Sequence, residues 1–287
     1  MSRRAVLITG TSSGIGAACV ERLAADGHRV YATMRSPETR NAQAAERLRA
    51  LPGVHVLELD VTDPESVRRA FATVAREGGL DTVVHNAGVA ALGPVERQSV
   101  RLLGQMFDVN VLGPVRVQQA ALPLLRAARD PRVVVVTSTL ARERAPLLAA
   151  YTATKHALEA LFECWSYELN AEGIRTVLVQ PGTVPTTRML DNLLSSDREA
   201  AEAAALDARA AALLAGLRAW GDTADAPTAA LVADAVCAAL APAPPTHIVV
   251  DPSGFDGTDR INATCGAVQR ELLDNYGMGD LIAPGSS

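Results

Sequence analysis

The sequence predicts an α/β fold: a doubly wound parallel sheet of about seven strands with helices on both faces. Three observations carry that prediction. Short apolar runs alternate with longer amphipathic segments along the chain. Val133-Val134-Val135-Val136 is apolar without alternation, as expected of a strand buried on both faces of a parallel sheet. A glycine-rich turn from Gly10 to Gly16 stands between the first strand and the first helix, where backbone N–H groups and the helix dipole favour an anion.

Taken in order, the strands are Ala5–Thr9, Arg29–Thr33, Val54–Leu59, Thr82–His85, Arg132–Thr137, Arg175–Val179 and His247–Val250. Helical patterns fall between them near 14–26, 37–50, 63–77, 97–128, 151–171 and 226–240. Thr62-Asp63-Pro64 supplies a cap followed by proline in a first turn, and Gly27 and Gly173 suit helix C-termini. The alternation has no internal boundary, so one catalytic domain is expected over 1–287. Residues 186–222, rich in Ala and Leu, read as a helical hairpin between the last two strands, placed to act as a substrate lid. Residues 251–287 form a C-terminal extension: turn chemistry at Asp251-Pro252-Ser253-Gly254, an amphipathic segment near 259–275, and a frayed end.

Composition narrows the function. A chain of 287 residues, 48% hydrophobic, can bury a large core. With 27 basic against 32 acidic residues and no run of like charge, a nucleic-acid surface is not expected. Cys19, Cys164, Cys237 and Cys265 form no C-x-x-C pair and read as free thiols. The five histidines have no metal-ligand spacing, so no metal is expected. No stretch has signal-peptide or membrane-spanning character, so a soluble, cytoplasmic protein is the expectation.

Two further patterns carry chemistry. In Tyr151-Thr152-Ala153-Thr154-Lys155 a phenol and an ammonium share one helix face. A tyrosine titrates near ~10, and a cation about 4 Å away is worth roughly 4 kcal/mol at a dielectric near 20, about three pK units. The expectation is a phenol acidified by Lys155. At the end of the second strand, Val30-Tyr31-Ala32-Thr33-Met34-Arg35-Ser36 lacks the acid that would bind a ribose diol, and Arg35 can pair with a 2′-phosphate, which selects NADP(H) over NAD(H).

Together these residues resemble the short-chain dehydrogenase/reductase family over roughly 3–250, and within it the 17-beta-hydroxysteroid and retinol dehydrogenase branch. Thr9-Gly10-Thr11-Ser12-Ser13-Gly14-Ile15-Gly16 matches the family's T-G-x-x-x-G-x-G, a Rossmann-type variant. Asp60-Val61, Asn86-Ala87-Gly88, Asn110, Ser138 with Tyr151 and Lys155, and Pro181-Gly182-Thr183-Val184-Pro185-Thr186 match its later motifs. The branch likeness lies in Val30–Arg35, Asn86–Gly93, Asp108–Arg116 and the helix from Tyr151 to Glu159.

The resemblance implies Ser138, Tyr151, Lys155 and Asn110 as catalytic residues. Thr137 and Thr139 flank Ser138, but the family register favours the serine. Asn110 would hold a water linking Lys155 to solvent. For the cofactor it implies Gly10, Ser13, Gly14, Ile15 and Gly16 at the pyrophosphate, Ser12 and Arg35 at the 2′-phosphate, and Asp60 and Val61 at the adenine. Asn86, Ala87 and Gly88 would brace the sheet beside the cofactor. Pro181, Gly182, Val184 and Thr186 would lie at the nicotinamide end, with Tyr151 and Lys155 at its ribose.

Leu92, Pro94, Leu147, Leu148, Val184, Met189 and Leu190 are the candidate apolar pocket. The expected reaction is hydride transfer between NADPH and a carbonyl or secondary alcohol of an apolar substrate, with steroid, retinoid and polyketide-like molecules all fitting. A same-fold isomerase or cyclase, and a sensor that binds NADPH without chemistry, are the alternatives. A homodimer or homotetramer is expected through the helices around 97–128 and 151–171. Arg142-Glu143-Arg144 replaces a small, glycine-rich stretch of the family after Ser138.

Overall fold

The computed structural model describes residues 3–187, 204–223, 226–251 and 256–275. Seven strands form one parallel sheet: β1 (Ala5–Thr9), β2 (Arg29–Met34), β3 (Val54–Glu58), β4 (Thr82–His85), β5 (Arg132–Val136), β6 (Arg175–Pro181) and β7 (His247–Val250). Their order is β3-β2-β1-β4-β5-β6-β7. Val6 stands beside Val30 on one side and Thr82 on the other, so the chain reverses direction across the sheet between β1 and β4. That switch point opens a crevice beyond the strand ends, where doubly wound sheets bind their ligands.

Both faces of the sheet are covered. Val6, Ile8, Val30, Ala32, Val134, Val136, Val177 and Val179 face one way. They pack on α1 (Gly14–Ala25), α2 (Ala42–Arg49) and α8 (Ala229–Ala238) through residues such as Val20, Leu23, Leu48, Val232 and Val236. The intervening Leu7, Tyr31, Val133, Val135 and Leu178 face the other way. There α3 (Pro64–Arg76), α5 (Gly113–Arg126) and α6 (Ala149–Ala171) supply Val67, Phe71, Val117, Leu125 and Phe162. Two apolar layers on one strand explain why the runs show no alternation.

The segment read as one helix over 97–128 is four pieces: a 3-10 turn (Val95–Arg97), then α4 (Val100–Phe107) capped by Ser99, then a π turn (Asp108–Leu112), then α5 directly after it. α2 begins five residues later than expected. Ser36, at φ 46°, turns the chain, and Asn41 Nδ2 donates to the Arg35 carbonyl at 2.6 Å across the loop. Of the segment expected to be a hairpin, α7 (Ala204–Gly221) is helical, while 188–203 lie outside the described residues, as do Met189 and Leu190. The C-terminal segment forms α9 (Gly257–Asn275). No helix among the described residues is long and apolar enough to cross a membrane.

Candidate active site

Because every strand is parallel, the loops after β1, β4, β5 and β6 open on the same side. Thr9, the last residue of β1, knits two of them. Its hydroxyl accepts from the Asn86 and Ala87 N–H groups at 3.0 and 3.1 Å, and Asn86 Nδ2 returns bonds to the Thr9 and Gly10 carbonyls at 2.9 and 3.2 Å. Thr11 is tied to β2 through the Thr33 carbonyl. Sequence reasoning placed Thr9 in the motif without giving it this role; its position at a strand end directly before Gly10 is the signal.

The glycines leave a cradle. Gly10 adopts φ 74°, and a Cβ there would stand 2.8 Å from the Ala87 Cα. A Cβ on Gly16 would meet the Gly10 carbonyl oxygen at 2.3 Å. Only glycine fits either place. Ser13 opens α1 with extended backbone and no side-chain cap bond, while Ser12, Gly14 and Ile15 are half-buried along the rim. A helix N-terminus bare of side chains is what a pyrophosphate requires, so the residues present fit a dinucleotide.

Arg35 sits exposed at the end of β2 with no side-chain partner among the described residues. Across the crevice, Asp60 Oδ1 accepts from the Thr62 N–H and hydroxyl at 2.9 and 2.7 Å, which shapes the turn before α3. Val61 is buried against Gly113. Gly88 is exposed, 3.4 Å (as a Cβ) from Asn110 Oδ1.

Asn110 lies in the π turn and is 1% exposed. Its amide donates to the Val89 carbonyl at 2.8 Å and to Thr154 Oγ1 at 3.0 Å, and Oδ1 accepts from the Val89 N–H at 2.8 Å. Both amide protons are spent on protein acceptors. The side chain fastens the β4 loop to α6.

Ser138 follows β5, Tyr151 and Lys155 lie in the first turns of α6, and Pro181 ends β6. Ser138 Oγ accepts from the Leu140 N–H at 3.1 Å and donates to the Pro181 carbonyl at 3.3 Å, on the side facing the Tyr151 phenol. Thr137 instead donates to the Val179 carbonyl at 3.2 Å, away from the phenol. Lys155 Nζ donates to the Val136 carbonyl at 3.1 Å and stands 5.7 Å from the Tyr151 ring centroid.

The electrostatics differ from the expectation. Burial pushes the Tyr151 phenol up to about 12, with the Ser138 hydrogen bond pulling the other way. Burial also pushes Lys155 down to about 8, with the Glu159 carboxylate opposing it. The ammonium is turned toward a backbone carbonyl, and loss of water outweighs its attraction for a phenolate. Near neutral pH the tyrosine is therefore a neutral phenol, already carrying the proton that an oxygen gaining charge would need.

Beyond β6, Gly182 N–H is held by the Val250 carbonyl at 2.9 Å, and Val184 is buried. The Thr186 hydroxyl is engaged with the Pro227 carbonyl at 2.9 Å, so it points toward the start of α8. On the opposite wall, Leu147 has φ 67°, unusual for a leucine, and its carbonyl accepts from the Gly93 N–H at 2.8 Å.

Residues 4–198 match the short chain dehydrogenase family. The chain belongs to that family. Over 205 residues it is 40% identical to human 17-beta-hydroxysteroid dehydrogenase type 1, covering 69% of this chain and 62% of that protein. It is 37% identical over 189 residues to human retinol dehydrogenase 8, covering 64% and 60%. The match thus spans only about six tenths of the length of these curated relatives. Among solved structures, a short-chain dehydrogenase from Streptomyces avermitilis superposes with a TM-score of 0.72 at 28% identity, over 97% of this chain and 98% of that one.

Proposed function

We propose that this short-chain dehydrogenase catalyses NADPH-dependent reduction of a carbonyl on an apolar substrate of steroid, retinoid or polyketide-like class, or oxidation of the matching alcohol. The observation that carries the reading is the convergence of the Tyr151 phenol, the Ser138 hydroxyl and the Lys155 ammonium at the strand ends beside the glycine cradle. When bound, the nicotinamide supplies or accepts the hydride. Tyr151 would give its proton to the substrate oxygen, and Ser138 would hydrogen-bond the same oxygen as charge accumulates there. Lys155 would orient the cofactor ribose and favour the ionised tyrosine once its proton has left.

Support for NADPH comes from Arg35, an exposed guanidinium with no protein partner among the described residues where a diol-binding acid would stand in an NAD site. Support for an apolar substrate comes from Leu92, Leu147 and Leu148, all half-buried, and from the buried Val184. We further assign a cytoplasmic location and a dimer or tetramer through α4, α5 and α6, where Val100 and Leu112 are exposed at 86% and 48%.

The test is a screen of steroids, retinoids, aromatic ketones and quinones, following NADPH consumption, with Tyr151→Phe as control. Wild type should consume NADPH stoichiometrically with one substrate class. Folded Tyr151→Phe should lose about a hundredfold or more of that rate. Turnover above a few per cent in the variant would overturn the assignment.

A further inference from the structure

α9 follows the last strand of the sheet, yet its side chains reach back to the strand ends that carry the site. Asn262 on that helix touches two of them. Its Oδ1 accepts from Arg142 Nε at 2.9 Å, and its Nδ2 donates to Gln180 Oε1 at 2.6 Å. Thr258, one turn earlier on α9 and 1% exposed, donates to Glu143 beside Arg142.

Both contacts of Asn262 lie one step from Ser138. The serine opens the short turn Thr139–Ala141, and the next residues close it: the Arg142 and Glu143 N–H groups donate to the Thr139 carbonyl at 2.9 and 3.0 Å. Gln180 directly precedes Pro181 on β6, and the Pro181 carbonyl receives the Ser138 hydroxyl at 3.3 Å. The turn that carries the serine and the carbonyl that orients its hydroxyl are thus both tied to one amide. An amide suits that bridge, because it offers an acceptor to the guanidinium and a donor to Gln180 Oε1 at once.

The residues it bridges are themselves anchored. Gln180 is fully buried and donates through Nε2 to Glu159 Oε1 on α6 at 2.6 Å. Arg142 pairs with Glu163 on the same helix, and its Nη2 stands 3.6 Å from Glu159 Oε1 and 3.4 Å from His247 Nε2 of β7. Guanidinium and carboxylates therefore remain paired without Asn262, and an unpaired buried charge, the costly outcome, does not arise when it is removed. Its loss loosens the spacing between Arg142 and Gln180.

We propose that Asn262 is a positioning residue for Ser138, acting through Arg142 on the turn that carries the serine and through Gln180 on the carbonyl that orients its hydroxyl. This rests on the catalytic reading of Ser138, Tyr151 and Lys155 above. The Ser138 hydroxyl must meet an oxygen on which charge accumulates, and a donor set off its line loses much of its effect there. The hydrogen bonds of Asn262 go to none of the residues assigned to the pyrophosphate or the 2′-phosphate. The cost of removing it therefore falls on kcat rather than on NADPH binding.

The experiment is a double-mutant cycle of Asn262→Ala with Ser138→Ala, measuring kcat with the substrate found in the screen and the Kd for NADPH. In the otherwise wild-type protein Asn262→Ala should lower kcat about three- to tenfold, with Kd changed less than about twofold. In the Ser138→Ala background the same substitution should cost less than about twofold, because the group that it positions is gone. An unchanged kcat for Asn262→Ala overturns the proposal, and so does an equal fall in both backgrounds, which is what general loosening of the fold would give. Ser138→Ala alone reports on the catalytic reading: full turnover there sinks that reading, while a crippled Ser138→Ala beside an unaffected Asn262→Ala sinks only this proposal. If Asn262→Ala does not fold, Asn262→Asp takes its place. It keeps an oxygen for Arg142 Nε and removes the donor to Gln180, and it should lower kcat only while Ser138 is present; an additive loss overturns the proposal.

Discussion

Arg35 presents a guanidinium to solvent at the end of β2, and nothing in the protein competes for it among the described residues. A 2′-phosphate meeting it would form charge-assisted hydrogen bonds worth roughly 1.5–3 kcal/mol. Arg35→Ala should therefore reduce kcat/KM for NADPH by about ten- to a hundredfold and leave NADH turnover nearly unchanged. Steady-state rates with both cofactors check it, and an unaltered ratio would refute the role. The place of Arg35 directly after β2 was legible in the sequence, because a strand end is a fixed place. The Tyr151–Lys155 spacing was legible for the same reason, since four positions on a helix place two side chains on one face. Their electrostatics were not legible. Burial of both groups depends on what packs around them, and it moved each one opposite to the direction that favours its charged form.

Helix interruptions hide from hydrophobic periodicity. Val100–Arg126 repeats its apolar residues at helical spacing throughout, so the π turn at Asp108–Leu112 left no trace in the pattern. The widened turn turns Asn110 toward Val89 and Thr154, joining the β4 loop, α5 and α6 through three hydrogen bonds. Asn110→Ala would leave the Val89 N–H and carbonyl without these partners, at a cost of about 2–4 kcal/mol. Denaturant unfolding should show that loss, with turnover falling as the loop loosens; stability within about 0.5 kcal/mol of wild type would contradict it. The strands, by contrast, were read within one or two residues, since each apolar run is closed by a turn residue or a charge. Residues 37–41 were misread as helix because the left-handed Ser36 and the Asn41 bond to the Arg35 carbonyl are choices of backbone geometry.

At the scale of the whole molecule, sheet order follows from the alternation of strands and helices with right-handed crossovers. Contacts between distant segments do not follow from it: Arg142 and His247 are brought together by the sheet, with no sequence spacing to announce them. His85 shows what such burial means for stability. It is 2% exposed, bonded through Nε2 to Gln118 Oε1 at 2.9 Å, and its ring lies tilted against Phe162 at 5.1 Å between centroids. Burial pushes it down to about 4 from an ordinary value of 6.5. The unfolded chain takes up a proton there before the folded one does. The stabilisation is therefore complete above about pH 6.5 and lost as pH falls toward 4, by about 3 kcal/mol in all. Thermal unfolding between pH 7 and 4 should show a steeper acid loss in wild type than in His85→Gln, and equal slopes would count against it. The reach of α9 back to the floor of the site has a temporal meaning as well. Ser138, Tyr151 and Lys155 all leave the ribosome before α9 has been made, so during synthesis Arg142 and Gln180 wait for Asn262 to arrive. A nascent chain can assemble most of its sheet in that interval, and the bridge from Arg142 to Gln180 closes only when α9 has been translated and docked.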